Sequence, residues 1–311
     1  MAITYPTPHL KKLNAALNNN KLPHIEKPFL ENALIAYENW IEGMRGVPAV
    51  DETSEMTVEY VANQLVQLLN TYKLYIDLNI ICDSPGDFLY RQKGQLKLDN
   101  TIIEEFLPYL IFKTIPFIKD DYEVGPKPCY AAMYFDSSLG RLQSGGGPQL
   151  RRKEQDFVIS RQLFIKASHH PDFTDSVERS TYLDYIVAEC KTNLDKTMFQ
   201  EATATAHDTK SAVPGANYYL LCEWLDMTPV STASTDIDEV LILRKAKRIP
   251  SNIRRHFSTV QGRADARNEF ERFLTENPFE PDVFLRFVNH ILSVLENEDP
   301  IEEDVLNTGY F

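Results

Sequence analysis

Glu189 and Lys191 stand two residues apart at the end of an apolar run, and the pattern of "YLDYIVAECKTNLDKTMFQEA" turns helical just after them. Side chains alternate along a strand, so Leu183, Tyr185, Val187, Glu189 and Lys191 share one face, and Asp184, Ile186, Ala188 and Cys190 share the other. An acid and a base are thus expected together at a strand end. Thr192 is expected to cap the following helix with Asp195 at its third position, and Met198, Phe199 and Ala202 to form the stripe turned toward the sheet. Strand ends in sheets with helical connections are where sites are commonly built. A hard divalent cation prefers oxygen ligands and usually engages one or two protein carboxylates, so this pair becomes a hydrolytic site if a second acid reaches Glu189. The triplet alone is unspecific: Asp208-Thr209-Lys210 has the same form in predicted helix, and an exposed strand-end ion pair contributes little to stability.

Three aspartates compete to be that second acid. Asp184 is five residues away on the same strand, on the opposite face and on the order of 16 Å along the chain, which sets it aside. Asp172 lies in the polar connection "HHPDFTDSVERS", where a hairpin is expected to turn. Asp156 begins "DFVISRQLFIKAS"; if that strand folds back antiparallel on "TYLDYIVAECK", Asp156 and Glu189 lie nearly equidistant from the turn and their ends meet. Asp156 is therefore the choice, and Asp172 stays as a rival.

The elements that must position these residues are legible in outline. "HLKKLNAAL", "FLENALIAYENWIEGM" and "MTVEYVANQLVQLLNTYKLYI" carry apolar residues at three- and four-residue intervals, as helices do. Thr57 is the expected cap of the third, Ser84-Pro85-Gly86-Asp87 the break after it, and "NTIIEEFLPYLIF" a buried helix interrupted or ended near Pro108. From Tyr122 on, "CYAAMYF", "DFVISRQLFIKAS", "TYLDYIVAECK", "NYYLLCEWLDM" and "DEVLILRK" read as strands, with a helix between the third and fourth. Helical texture returns in "ARNEFERFL" and "VFLRFVNHILSVL", and the acidic stretch "ENEDPIEEDV" reads as a solvated end. The expectation is an α/β (α+β) chain: a helical segment 1–121, a mixed-sheet core 122–245 and a helical segment 246–311.

Composition bounds the partners. With 311 residues and 43% hydrophobic content, the chain can bury a substantial core. It shows no export signal and no apolar run near the roughly 18 residues of a membrane span, which points to a cytoplasmic protein. Cys82, Cys129, Cys190 and Cys222 lack the paired spacing of a zinc cage or disulfide framework. The net charge of -13 speaks against a simple polyanion binder. Two basic stretches run against it: Arg151, Arg152 and Lys153, and the segment holding Arg244, Lys245, Lys247, Arg248, Arg254 and Arg255. Either faces DNA or is solvated surface charge. The triple glycine of "SGGGPQ" lacks a following Gly-Lys-Ser/Thr and is either part of a contact loop or flexible linkage. His169-His170 reads as loop, and no Gly-x-Ser-x-Gly elbow is present.

An acid opening one strand, a hairpin, then Glu189-Cys190-Lys191 on the next, followed by helix and strand, resembles the PD-(D/E)XK nuclease superfamily. "ECKTNLDKTMFQEA", "KEQDFVISR" and "YLLCEWLDM" more specifically resemble type II restriction endonucleases of the BbvCI-like group, which read sites related to CCTNAGC. Gln155 stands where the superfamily places a proline, and the gap from Asp156 to Glu189 is long. The resemblance implies Mg²⁺-dependent hydrolysis of double-stranded DNA. Asp156 and Glu189 would hold the metal with the Cys190 carbonyl, while Lys191 would orient water and stabilise developing charge; Gln200 and Glu201 are either supporting groups or ordinary helix surface. A double-strand break further implies a homodimer or a heterodimer with a related chain. A repair or recombination nuclease and a noncatalytic DNA-binding relative are the alternatives.

Overall fold

The computed structural model describes residues 5–51, 56–95, 97–296 and 302–309. The N-terminal part is helical, as the periodicity requires: α1 (Pro8–Leu17), α2 (Lys27–Gly46) and α3 (Val58–Tyr75), the last running directly into a π-helical segment, Ile76–Cys82. The Thr57 hydroxyl caps α3, accepting from the Tyr60 amide at 3.1 Å. After the Ser84–Asp87 turn come α4 (Phe88–Gln95) and α5 (Thr101–Thr114).

The expected break at Pro108 does not occur. α5 continues through the proline, although a proline inside a helix removes one backbone hydrogen bond. Nearly every residue of α5 is buried, so packing on all sides outweighs that loss.

The sheet holds β1 (Glu123–Phe135), β2 (Pro148–Ala167), β3 (Val177–Leu194), β4 (Asn217–Leu225) and β5 (Glu239–Ile242), in that spatial order. β1, β2 and β3 pair antiparallel, whereas β3, β4 and β5 pair parallel. The reversal follows from connection type: hairpins join the first three, and α6 (Lys196–Ala212) carries the chain from β3 across to β4. β2 is long and curls, so that β1 also meets β3 at Cys129 and Tyr182. The triple glycine forms the tight turn that joins β1 to β2 and packs closely against the far end of β2. Gly145, Gly146 and Gly147 all take positive φ, and a Cβ on Gly145 would lie 2.4 Å from the Ala167 carbonyl oxygen.

Helices cover both faces. The larger core joins Leu13, Leu65 and Phe106 to Ile186, Ala188 and Cys190 of β3, and to the Phe284, Phe287, Val288 and Ile291 stripe of α9 (Pro281–Leu295). It thus draws on all three sequence segments. On the opposite face, Ala202 and Ala206 of α6 pack over Val158, Val187 and Leu220, with Phe199 beside them. α7 (Ser251–Arg254), α8 (Val260–Glu276) and α10 (Glu302–Thr308) are the remaining α-helices among the described residues. Of the acidic stretch 296–305, residues 297–301 fall outside the described residues.

Two local expectations are corrected. β3 runs to Leu194, two residues past Thr192, so the helix cap is Asp195, which accepts from the Met198 amide at 2.9 Å. Strict alternation along β3 also fails. Ile159 pairs with Ile186 but Ser160 pairs with Asp184, leaving Tyr185 as an extra residue. The bulge turns Asp184 toward α6, where Gln155 Nε2 donates to it at 3.2 Å and to Thr209 Oγ1 at 3.4 Å. Asp184 is thus excluded by its distance along the strand and its own partners rather than by its face.

Candidate active site at the end of β3

Regular pairing between β2 and β3 stops at Phe157 and Ala188. The next residues outward are Asp156 and Glu189, the pair expected to meet. Past that point the Cys190 amide has no backbone partner on β2, and Asp156 Oδ2 accepts its hydrogen bond at 3.1 Å. Glu189 and Lys191 flank this junction, with Lys191 Nζ 2.6 Å from Glu189 Oε1. The other Glu189 oxygen accepts a hydrogen bond from the Tyr218 hydroxyl. Burial pushes that phenol far above its usual range, with Glu189 adding to the effect, so Tyr218 stays a donor. Burial alone would weaken the Lys191 charge. The hydrogen bond and charge of Glu189, with Asp156 and Glu201 behind it, outweigh burial and hold the ammonium above the ordinary lysine value.

Several contributors were not anticipated. Glu104 of α5 is buried, and burial with Asp156 nearby pushes its carboxyl up to about 7. Asn100, at the cap position of α5, donates from Nδ2 to the Cys190 carbonyl at 2.6 Å and toward Glu104 Oε1 at 3.5 Å. Lys97 Nζ lies 3.5 Å from Asp156 Oδ1. One signal was available: Glu104-Glu105 are adjacent carboxylates inside an otherwise apolar helix, and buried acids need a reason. Tyr218 and Asn100 carry no such mark.

The other candidates separate cleanly. Asp172 sits in the exposed turn at the far end of the β2–β3 hairpin, where its Oδ2 accepts from Thr174 Oγ1 at 2.6 Å, so it does not approach Glu189. His169 and His170 are exposed in the same turn. Glu201 is exposed yet acts on Lys191, while Gln200 is plain helix surface. Among the basic residues, Arg244 is 4% exposed, paired with Glu223 at 2.9 Å and stacked over Phe279, so it is not available to DNA. Lys245 pairs with Asp282, and Arg248 and Arg254 share Asp226 Oδ2 at 3.1 and 3.4 Å. Lys247 and Arg255 are exposed. Arg151 and Arg152 are exposed on β2, Arg152 donating to the Ser180 carbonyl at 2.6 Å, with Lys153 half-buried beside them.

Among the described residues, no three His, Cys, Asp or Glu side chains converge as a ready-made metal cage. The donor set nevertheless fits a hard divalent ion. Asp156 and Glu189 are carboxylates on either side of Cys190, and each now leans on a lysine. Burial is the main reason the Glu104 carboxyl is raised; the Asp156 charge adds to it, and a cation beside Asp156 would offset that second contribution. The Cys190 carbonyl oxygen already accepts from Asn100, so a metal would share that oxygen.

A mixed five-stranded sheet whose central strand ends in an acid–x–lysine, walled by helices, is the architecture of a type II restriction endonuclease. Comparison with known proteins agrees: the model of the Bpu10I restriction endonuclease family matches residues 95–311, and the chain belongs to that family. Among solved structures, the native BbvCI A2B2 tetramer at low resolution superposes with a TM-score of 0.54 at 17% identity, covering 81% of this chain and 87% of that one, which establishes likeness of fold. No curated protein matches the chain.

Proposed function

We propose that this endonuclease hydrolyses phosphodiester bonds within a specific double-stranded DNA site, using Asp156, Glu189 and Lys191 with Mg²⁺. The observation that carries the reading is the bond from the Cys190 amide to Asp156, which fixes one acid against the backbone link between the other acid and the lysine. Asp156 and Glu189, with the Cys190 carbonyl, would hold the ion. When bound, Mg²⁺ lowers the pKa of an attached water and offsets charge on the phosphate. Lys191 is held protonated by its carboxylate neighbours, so its role is to orient the attacking water and stabilise charge building on the phosphate, rather than to take a proton. Tyr218 fixes the Glu189 carboxylate from behind.

One such site cuts one strand, so we assign the double-strand break to two subunits, identical or related. The BbvCI structure is described as an A2B2 tetramer, which favours a related partner chain. The helical segments 1–121 and 246–311 are proposed to supply DNA and subunit contacts around the core 122–245, with Arg151, Arg152, Lys153, Lys247 and Arg255 on the DNA side. Among the described residues no helix is long and apolar enough to cross a membrane, and a cytoplasmic location is part of the proposal.

The test is purified protein with plasmid DNA, with and without Mg²⁺, beside Glu189→Gln and Lys191→Met. Discrete fragments from the wild type alone support the reading, and nicks in one strand point to a missing partner chain. Random degradation would favour a repair nuclease, and binding without cutting a noncatalytic relative.

A further inference from the structure

Beside the hydrolytic residues lies a cavity of about 590 Å³, over the carboxyl ends of β3 and β4 and bordered by α4 and α8. That is the size of a small-molecule pocket, for which ~300–1,000 Å³ is typical. Cys190 and Lys191 form part of its wall, so it opens from the site already described. Its apolar side is aromatic: Tyr90 from α4, Trp224 from β4, and Phe270 and Phe273 from α8. Trp224 and Phe273 have ring centroids 4.9 Å apart, over a small core with Leu78 and Leu274. Its polar side is mixed in charge: Lys93, Arg248 and Arg254, each about 30% exposed and each paired with an aspartate, stand beside Asp77, Asp99 and Glu223.

Five side-chain polar atoms of lining residues are buried without a hydrogen-bond partner. Asp77 Oδ1 and both Asp99 oxygens face Lys73 or Lys93 as ion pairs, which leaves Asn100 Oδ1, an acceptor, and Arg254 Nε, a donor, with neither kind of partner. Native proteins rarely leave such atoms unpaired. A ligand with a flat apolar body, an N–H donor and an anionic oxygen would satisfy both. A nucleotide whose base carries an exocyclic amine has that combination, and stacking on aromatic side chains is how proteins hold unpaired bases.

We propose that this cavity seats one nucleotide of the DNA, swung out of the duplex beside the phosphate being cut. Its base lies against the aromatic wall with its amine toward Asn100, and its phosphate faces Arg254 and Lys191. The source of the nucleotide rests on the nuclease reading; the seat itself rests on the cavity.

The seat is tested with free nucleotides on the full chain. The protein has two tryptophans, Trp40 and Trp224, so Trp40→Phe leaves the cavity residue as the sole reporter. In that background dAMP, dCMP and dGMP are expected to quench fluorescence saturably, and dTMP, which lacks the exocyclic amine, more weakly. Gly94 lines the cavity, and a Cβ there meets nothing within 4 Å, so Gly94→Leu fills space without disturbing the fold. It is expected to weaken nucleotide binding at least 10-fold with Tm unchanged. Absence of quenching by all four nucleotides, or wild-type affinity in Gly94→Leu, overturns the proposal. Glu189→Gln is expected to keep the quenching while losing cleavage. If instead it cleaves normally and the quenching persists, the catalytic assignment fails and the seat stands.

Discussion

The amide of Cys190 donates to the carboxylate of Asp156 at 3.1 Å across 34 residues of chain, which places the β2 acid at the link between Glu189 and Lys191. Ordinary strand pairing ends one residue earlier, so the carboxylate takes over a backbone partner's place. This makes Asp156 both a structural latch and a proposed metal ligand.

Removing any one of the three proposed catalytic groups should abolish chemistry but spare binding. Asp156→Asn, Glu189→Gln and Lys191→Met are each expected to slow DNA cleavage by on the order of 10²-fold or more. Cleavage is followed by plasmid digestion and affinity by gel shift without Mg²⁺. Near-normal cleavage by any of the three removes that residue from the mechanism.

Tyr218 positions Glu189, so its hydroxyl should matter more for metal use than for folding. Tyr218→Phe is expected to raise the Mg²⁺ concentration for half-maximal cleavage by about 10–100-fold, as loss of a partner behind a metal ligand does. A Mg²⁺ titration of cleavage reads this directly; an unchanged midpoint would show the bond to be incidental.

Glu104 gives the site a pH signature. Its folded carboxyl sits at about 7, above the unfolded value of about 4.3, so the fold binds this proton more tightly than the unfolded chain. Its stabilising effect is therefore full below about 4.3 and is lost as pH rises through about 7. Glu105, likewise pushed up to about 7 by burial, works in the same direction. Glu104→Gln should flatten the decline of Tm between pH 5 and 8 and raise Tm at pH 8. Because Mg²⁺ beside Asp156 would offset that acid's contribution to the raised Glu104 value, the Mg²⁺-induced rise in Tm at pH 8 should shrink in that variant.

A buried ionic cluster ties the N-terminal helices to the sheet below the cavity. Lys73 Nζ lies 2.5 Å from Asp77, 2.6 Å from Asp99 and 3.2 Å from Glu223, and Glu223 in turn holds Arg244. Removing one partner strands charges in the interior, so Lys73→Met should cost about 3–5 kcal/mol in urea unfolding.

Arg244 and Arg255 lie in one basic run and should behave differently. Arg244→Ala is expected to lower stability with little direct effect on DNA contact. Arg255→Ala should leave Tm unchanged and, if it touches phosphate, reduce the salt slope of DNA binding by about 1.

The chain's order of residues determined a good deal by itself. Period-2 and period-3.6 patterns reveal the elements, because burial on one face demands them, and counting outward from a hairpin turn pairs Asp156 with Glu189. Tertiary packing decided the rest. Whether a helix survives Pro108, and which basic residues reach solvent, depends on neighbours distant in sequence. The bulge at Tyr185 and the curl of β2 likewise come from strand partners, and no periodicity encodes them. Asn100, Glu104 and Tyr218 join the site from α5 and β4 because those elements pack beside the end of β3. Their side chains acquire meaning only from the groups they meet there, Cys190, Asp156 and Glu189.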